Sequence, residues 1–330
     1  MWAWQPGSAA EGGGTMAAME RIQLPKTDLN VARLCLGGNV FGWSADEPQS
    51  HAVMNAYAEL GGNFIDTADA YSEWAEGHIG GESESVIGNW MREKRNRDQV
   101  VVATKVAKLS TRPGLSRANI LAACDDSLRR LKTDYIDIYY AHHDDEEVDL
   151  GETLAAFDEL QRAGKIRYAA ASNYSGARLR EAAKISRELG LGEYVTVQNH
   201  YNLLERDEYE TDARPAIEEL GLSGVPYFGL ARGFLSGKYQ PGVEVDSVRA
   251  GGVTKYTNPT GWATIERLQR LANHHSTDGR VMHMSAIALA WVRQQPTIAA
   301  PIASARTVEQ LHQFAADVRL SADELAYLAQ

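Results

Sequence analysis

The chain has 330 residues, 44% of them hydrophobic and 23% charged, which is the composition of an ordinary globular protein. Its 33 basic and 44 acidic residues give a net charge of −11. That balance argues against nucleic acid or an anionic membrane as partner, while leaving room for a phosphorylated cofactor held by a few local arginines.

Cys35 and Cys124 lie in no CxxC or metal-ligand pattern, so neither a disulfide framework nor a metal site is expected, and a cytoplasmic location fits. No apolar run reaches transmembrane length. The first residues, "MWAWQPGSAAEGGGTMAAME", have neither a basic n-region nor an apolar h-region, so they do not form a secretory signal. They read as a Gly/Ala-rich, disordered tail over residues 1–20, followed by one domain over 21–330.

Eight short apolar, β-rich runs follow in chain order: 33–38, 63–68, 100–105, 135–142, 166–173, 194–199, 224–230 and 297–304. Between them lie segments with helical spacing, such as "GETLAAFDELQRAGK", where Leu154, Phe157 and Leu160 recur and Gly164 suits a C-cap. Eight strands alternating with helices predict a parallel array closed into a (β/α)8 TIM barrel. One long irregular segment, 240–262, is expected on the C-terminal face, where barrel active sites are built.

Five of these strands end in polar residues that a core would not choose: Asp66, Lys105, His142, Asn173 and Gln198. Strand side chains alternate with period two. His142 therefore shares a face with Ile136, Ile138 and Tyr140, Lys105 with Val101 and Ala103, and Asp66 with Phe64. These faces are assigned to the barrel lumen. Of the adjacent pair His142 and His143, the first is the functional candidate and the second belongs outside.

The ordered motifs "NFIDTADAY", "VVATK", "DIYYAH", "ASN", "VQNHYNLLER", "LARGFLSGKY" and "PIASARTVEQL" resemble the aldo-keto reductases from about Arg21 to the C-terminus. The resemblance implies an NADPH-dependent enzyme that reduces an aldehyde or ketone, with Asp66, Tyr71, Lys105 and His142 as catalytic tetrad. A tyrosine's ordinary pKa of about 10 suits neutral pH poorly. The Lys105 ammonium is expected to lower it, Asp66 to orient Lys105, and His142 to bind the carbonyl oxygen.

The same resemblance implies the cofactor contacts. Ser172, Asn173 and Gln198 would hold the nicotinamide carboxamide, and Tyr227 would stack on the ring. The backbone of Leu230 to Gly233, with Arg232 and Lys238, would wrap the pyrophosphate, while Ser304, Arg306 and Gln310 would take the 2′-phosphate. Gly38, Asn39, Phe228, Gly229, Arg249 and Ile302 complete the expected set. A guanidinium at 306 favours NADPH over NADH. No GxGxxG follows the first strand, so a Rossmann site is not indicated.

Phe228 and Gly229 stand where the family usually has Ser-Pro, Ser304 where glycine is common, and Phe314 where an asparagine often occurs. Phe41, Trp43 and Trp74, with the 240–262 loop, are expected to frame an aromatic substrate pocket. Two other classes compete. Lys105 could form a Schiff base, although Asp66 would keep it charged. Alternatively, the protein could sense cofactor with little turnover. The particular carbonyl substrate, the physiological direction and the oligomeric state stay open.

Overall fold

The computed structural model describes residues 19–239 and 252–330. The chain enters as an antiparallel hairpin, β1 (Arg21–Gln23) and β2 (Asn30–Ala32). Eight parallel strands follow: β3 (Cys35–Gly37), β4 (Phe64–Asp66), β5 (Val101–Val106), β6 (Ile136–Ala141), β7 (Ile166–Ser172), β8 (Thr196–Gln198), β9 (Ser223–Gly224) and β10 (Ile302–Ala303). They pair in the order β10-β3-β4-β5-β6-β7-β8-β9. Gly224 N–H donates to the Thr297 carbonyl, Ala299 N–H to Gly224 and Ile302 N–H to Pro226, which closes the curl between β9 and β10. This is the expected (β/α)8 architecture.

The helices on the outside are α1 (Glu47–Glu59), α2 (Glu82–Lys94), α3 (Arg117–Leu131), α4 (Leu150–Arg162), α5 (Gly176–Leu189), α6 (Arg214–Leu220), α7 (Pro259–His274), α8 (Met284–Arg293), α9 (Val308–Ala315) and α10 (Ala322–Leu328). Their starts carry local signals. Asp46 and Gln49 form a reciprocal capping box on α1, while Ser116, Asp149 and Ser175 cap α3, α4 and α5. Segment 240–262 is not irregular throughout. Asn258 accepts a hydrogen bond from Gly261 N–H, Pro259 sits in the first turn, and Trp262 is already inside α7. Residues 1–18 and 240–251, including Arg249, lie outside the described residues.

The apolar side chains divide into two clusters. The larger lies between the sheet and the helices and includes Ile65, Val102, Tyr139, Phe157 and Trp291. The smaller fills the lumen with Phe64, Val101, Ala103, Ile138 and Tyr140, and is closed below by Leu24, Leu29 and Val31 of the hairpin. The lumen assignment holds for β4, β5 and β6, although Ile136 at the lower end of β6 joins the outer cluster. Fully burying one such Leu or Phe contributes roughly 1.5–3 kcal/mol.

Candidate active site

Parallel register brings the strand ends to one rim. Asp66 pairs with Ala103, so Lys105, two residues on, stands above it, and Lys105 pairs with Tyr140, two residues before His142. The chain turns after β4, where Tyr71 N–H donates to the Ala68 carbonyl and Ser72 (φ 77°) ties its hydroxyl to the Phe41 carbonyl. Tyr71 thereby leans back over the rim.

Lys105 has no exposed surface. Its Nζ donates to Asp66 Oδ2 (2.7 Å), to the Thr67 carbonyl (2.7 Å) and to the Tyr71 hydroxyl (3.0 Å). The Tyr71 hydroxyl donates to Asp66 Oδ2 at 3.2 Å, and Gln198 Nε2 donates to Asp66 Oδ1 at 2.9 Å. All donors of the ammonium are thus used, which is what a buried charge requires. Burial lowers the Lys105 pKa and the Asp66 carboxylate works against that fall.

The tyrosine departs from expectation. Burial, and then the Asp66 charge, push its pKa well above the ordinary value rather than below it. Lys105 is already neutralised by Asp66, so the phenol meets a carboxylate as well as an ammonium. His142 lies with its ring centroid 6.1 Å from that of Tyr71. Burial, then Lys105 and Lys108, hold its pKa well below the usual histidine value, and its Nδ1 is buried without a partner. His143 sits aside, with Nδ1 against the Asp144 carbonyl.

A second polar chain runs along the rim. Asn173, in the left-handed region at φ 59°, donates through Nδ2 to the His142 carbonyl (2.8 Å) and accepts from the Tyr227 hydroxyl (2.7 Å). Ser172 Oγ donates to the Gln198 carbonyl at 2.7 Å. The Tyr227 ring stacks on His200 at 5.4 Å and 13°, and burial pushes His200 down to about 4, so this support is uncharged at neutral pH.

Beside these groups opens a cleft of about 980 Å³. Asn39, Asp66, Tyr71, Trp74, His142, Ser172, Asn173 and Gln198 line it at the tetrad end, and Tyr227 to Leu230 with Arg232, Gly233 and Lys238 farther along. Ile302, Ser304, Arg306 and Gln310 also line it. Ser304 Oγ donates to Asn39 Oδ1 at 2.6 Å, while the Gln310 side chain accepts from Arg306 N–H at 3.0 Å. Arg306 is exposed and forms no ion pair among the described residues.

Several expected residues sit elsewhere. Gly38 lies beneath the rim, its carbonyl accepting from Ser83 Oγ. Phe41 is fully buried in the outer cluster and is not among the described residues that line the cleft. Trp43 stands behind Trp74, ring centroids 5.5 Å apart, and supports that wall rather than lining it. In the 230–233 turn, the Ala231 and Gly233 amides already donate to the Phe228 and Leu230 carbonyls, so two of the four amides expected to face a pyrophosphate are engaged. Lys108, His283, Ser285 and Gln313 line the cleft without any signal from strand alternation. Among the described residues no group of His, Cys, Asp and Glu is arranged to hold a metal, and no helix is long and apolar enough to cross a membrane.

A buried Asp-Lys-Tyr chain thus stands beside a neutral histidine at the C-terminal rim of the (β/α)8 barrel. The model of the Aldo/keto reductase family matches residues 33–330, and the chain belongs to that family. This membership makes it an oxidoreductase related to enzymes of carbonyl reduction. It is 36% identical over 319 residues to the Bacillus subtilis (strain 168) protein named Uncharacterized oxidoreductase YrpG, covering 93% of each chain. It is 32% identical over 321 residues to Protein tas of Escherichia coli (strain K12), covering 89% of this chain and 91% of that one. It is 29% identical over 313 residues to Norsolorinic acid reductase B of Aspergillus parasiticus, covering 87% and 76%.

Proposed function

We propose that the chain reduces an aldehyde or ketone to the alcohol with NADPH, with Tyr71 as the proton donor. The observation that carries this reading is Lys105, fully buried and bonded at once to Asp66 and Tyr71, both of which line the cleft. Bound NADPH would supply a hydride to the carbonyl carbon. His142, neutral at physiological pH, orients the carbonyl oxygen beside Tyr71. Tyr71 keeps its proton at neutral pH, which suits an acid acting in the reductive direction, and gives it to the developing alkoxide oxygen. Lys105 then steadies the phenolate, and Asp66 keeps Lys105 charged, which disfavours a Schiff base there.

The cleft suits the cofactor in size and charge. Arg232, Lys238 and Arg306 line it away from the tetrad and would take the phosphates, with Arg306 as the bidentate partner of the 2′-phosphate. Asn173, Ser172 and Gln198 would fix the carboxamide against the Tyr227 ring. Two free, buried cysteines suit the reducing cytoplasm in which we expect it to work.

The test follows NADPH absorbance over a panel of aldehydes, ketones and keto-sugars, with Tyr71→Phe as control. We expect turnover that vanishes in Tyr71→Phe while NADPH still binds. Undiminished turnover in that variant would overturn the donor assignment. Tight NADPH binding with no turnover on any carbonyl would favour cofactor sensing instead.

A further inference from the structure

Three residues beyond Lys105 the same strand exit delivers a second lysine. Strand alternation from Lys105 inward and Val106 outward would turn Ala107 inward and Lys108 out of the barrel. Instead Lys108 lines the cleft, together with Tyr71, Trp74 and His142. The cause is Ala107, whose φ is 115°. A residue with a Cβ rarely adopts that conformation, which costs on the order of 1–3 kcal/mol and persists only where the surroundings enforce it. Here Gly114 N–H donates to the Ala107 carbonyl at 2.9 Å and holds the turn.

The ammonium so delivered has no counter-charge. Lys108 makes no ion pair or hydrogen bond among the described residues, whereas Lys105 has three partners. Glu73, the acid beside Trp74, is taken up by the Ser110 backbone N–H at 3.0 Å. Burial and the Lys105 charge depress the Lys108 pKa, and the Lys108 charge adds to the larger effects of burial and Lys105 that hold His142 down. Trp74 lines the same cleft, 53% exposed, braced edge-on by Trp43 at 5.5 Å and 6.1 Å from the Tyr71 ring. An exposed indole on a braced wall offers a planar ring a surface to stack on.

We infer that the substrate is a planar aromatic carbonyl compound bearing a carboxylate, its ring against Trp74 and its carboxylate paired with Lys108. The inference rests on the carbonyl-reductase reading and narrows it. The reduction itself is unchanged: the reduced nicotinamide gives a hydride to the carbonyl carbon, Tyr71 gives a proton to the oxygen, and the carboxylate stays intact. Lys108 is then a specificity-determining residue rather than a member of the proton relay.

The experiment compares 2-, 3- and 4-formylbenzoate with their methyl esters, as the ratio of kcat/KM for acid over ester. The wild type is expected to prefer at least one acid, and Lys108→Gln to lower that ratio about tenfold, the weight of one charged hydrogen bond. Lys108→Arg is expected to restore it, Lys108→Glu to lower it further, and Trp74→Ala to raise KM for acid and ester alike. A ratio near one in the wild type, or one that Lys108→Gln leaves unmoved, overturns the inference while the reductase stands. Failure of the reductase reading looks different, because no aldehyde of any charge is then consumed. In that event quenching of tryptophan fluorescence by benzoate against benzamide decides the point: weaker benzoate binding in Lys108→Gln upholds the carboxylate site, and equal binding overturns it.

Discussion

The two ends of the barrel are built from the same strands by the same alternation, yet they are chemical opposites. At the lower end Phe64, Val101 and Ile138 share an apolar cluster with Leu24, Leu29 and Val31 of the hairpin, whose backbone is tied down by the Asn63 side chain. Two to four residues further along the same faces come Asp66, Lys105 and His142. Burial does not separate the ends, since Asp66 and Lys105 are as buried as Phe64. What separates them is that Asp66 and Lys105 at the upper end depend on each other and on Tyr71 and Gln198, whereas the apolar cluster below needs only matched volume.

That contrast is broken most forcefully by Asp66→Asn. The amide keeps the shape but leaves the Lys105 ammonium buried without its counter-ion, a loss typically of about 3–5 kcal/mol. Turnover is expected to fall at least about a hundredfold, because Lys105 and Tyr71 lose their common anchor. Urea midpoints and steady-state rates together check both parts, and an unchanged midpoint would contradict the dependence on partners. Leu24→Ala tests the other end. It should cost about 3 kcal/mol through the cavity it leaves under the lumen, with kcat kept in the protein that stays folded. A large fall in kcat would mean that the floor transmits strain to the rim.

A pair of aspartates sharpens the same point. Asp66 has partners on both oxygens, while Asp69, three residues on and fully buried, has none on either. Burial, then the Glu84 charge, push Asp69 up to about 7 against the pull of Arg130. Its folded pKa thus exceeds the ordinary carboxyl value of about 3.9. Between about pH 4 and pH 7 the folded state holds a proton that the unfolded chain has lost, so stability falls as pH rises through that window. Asp69→Asn should remove this slope and stabilise the protein by about 2 kcal/mol at pH 8, with little gain at pH 5. Denaturant midpoints at the two pH values decide it; an equal shift at both would mean the carboxyl is already charged at pH 5.

The rim and the eight strands were legible because alternation carries lumen residues directly to strand ends, and five of those ends are polar. The hairpin was not, because three-residue strands such as Arg21–Gln23 are too short to show period two. The start of α7 was hidden by the Gly/Thr/Asn/Pro composition around it, although Asn258-Pro259 is a helix-start signal. The raised Tyr71 pKa was not legible because a sequence shows a lysine near a tyrosine but neither the burial of the phenol nor the carboxylate that binds both. Lys108 was missed for a backbone reason, since the positive φ of Ala107 interrupts the periodicity on which such readings depend.

The smallest expected effect lies farthest from the buried pairs. Arg306 is exposed at the entry to α9, with its N–H on the Gln310 side chain and its guanidinium unpaired among the described residues. If it holds the 2′-phosphate, Arg306→Ala should weaken NADPH binding about tenfold and leave NADH binding nearly unchanged, because NADH has no group there to lose. Titration of both cofactors by tyrosine and tryptophan fluorescence separates the two. The position also sets the salt response. A contact open to water is screened within a Debye length, so the preference for NADPH should shrink between about 0.05 M and 0.5 M salt, while the Lys105–Asp66 pair, shut away from ions, should not respond. Equal weakening of NADH would move Arg306 to a part shared by both cofactors and leave the NADPH preference to another cation of the cleft.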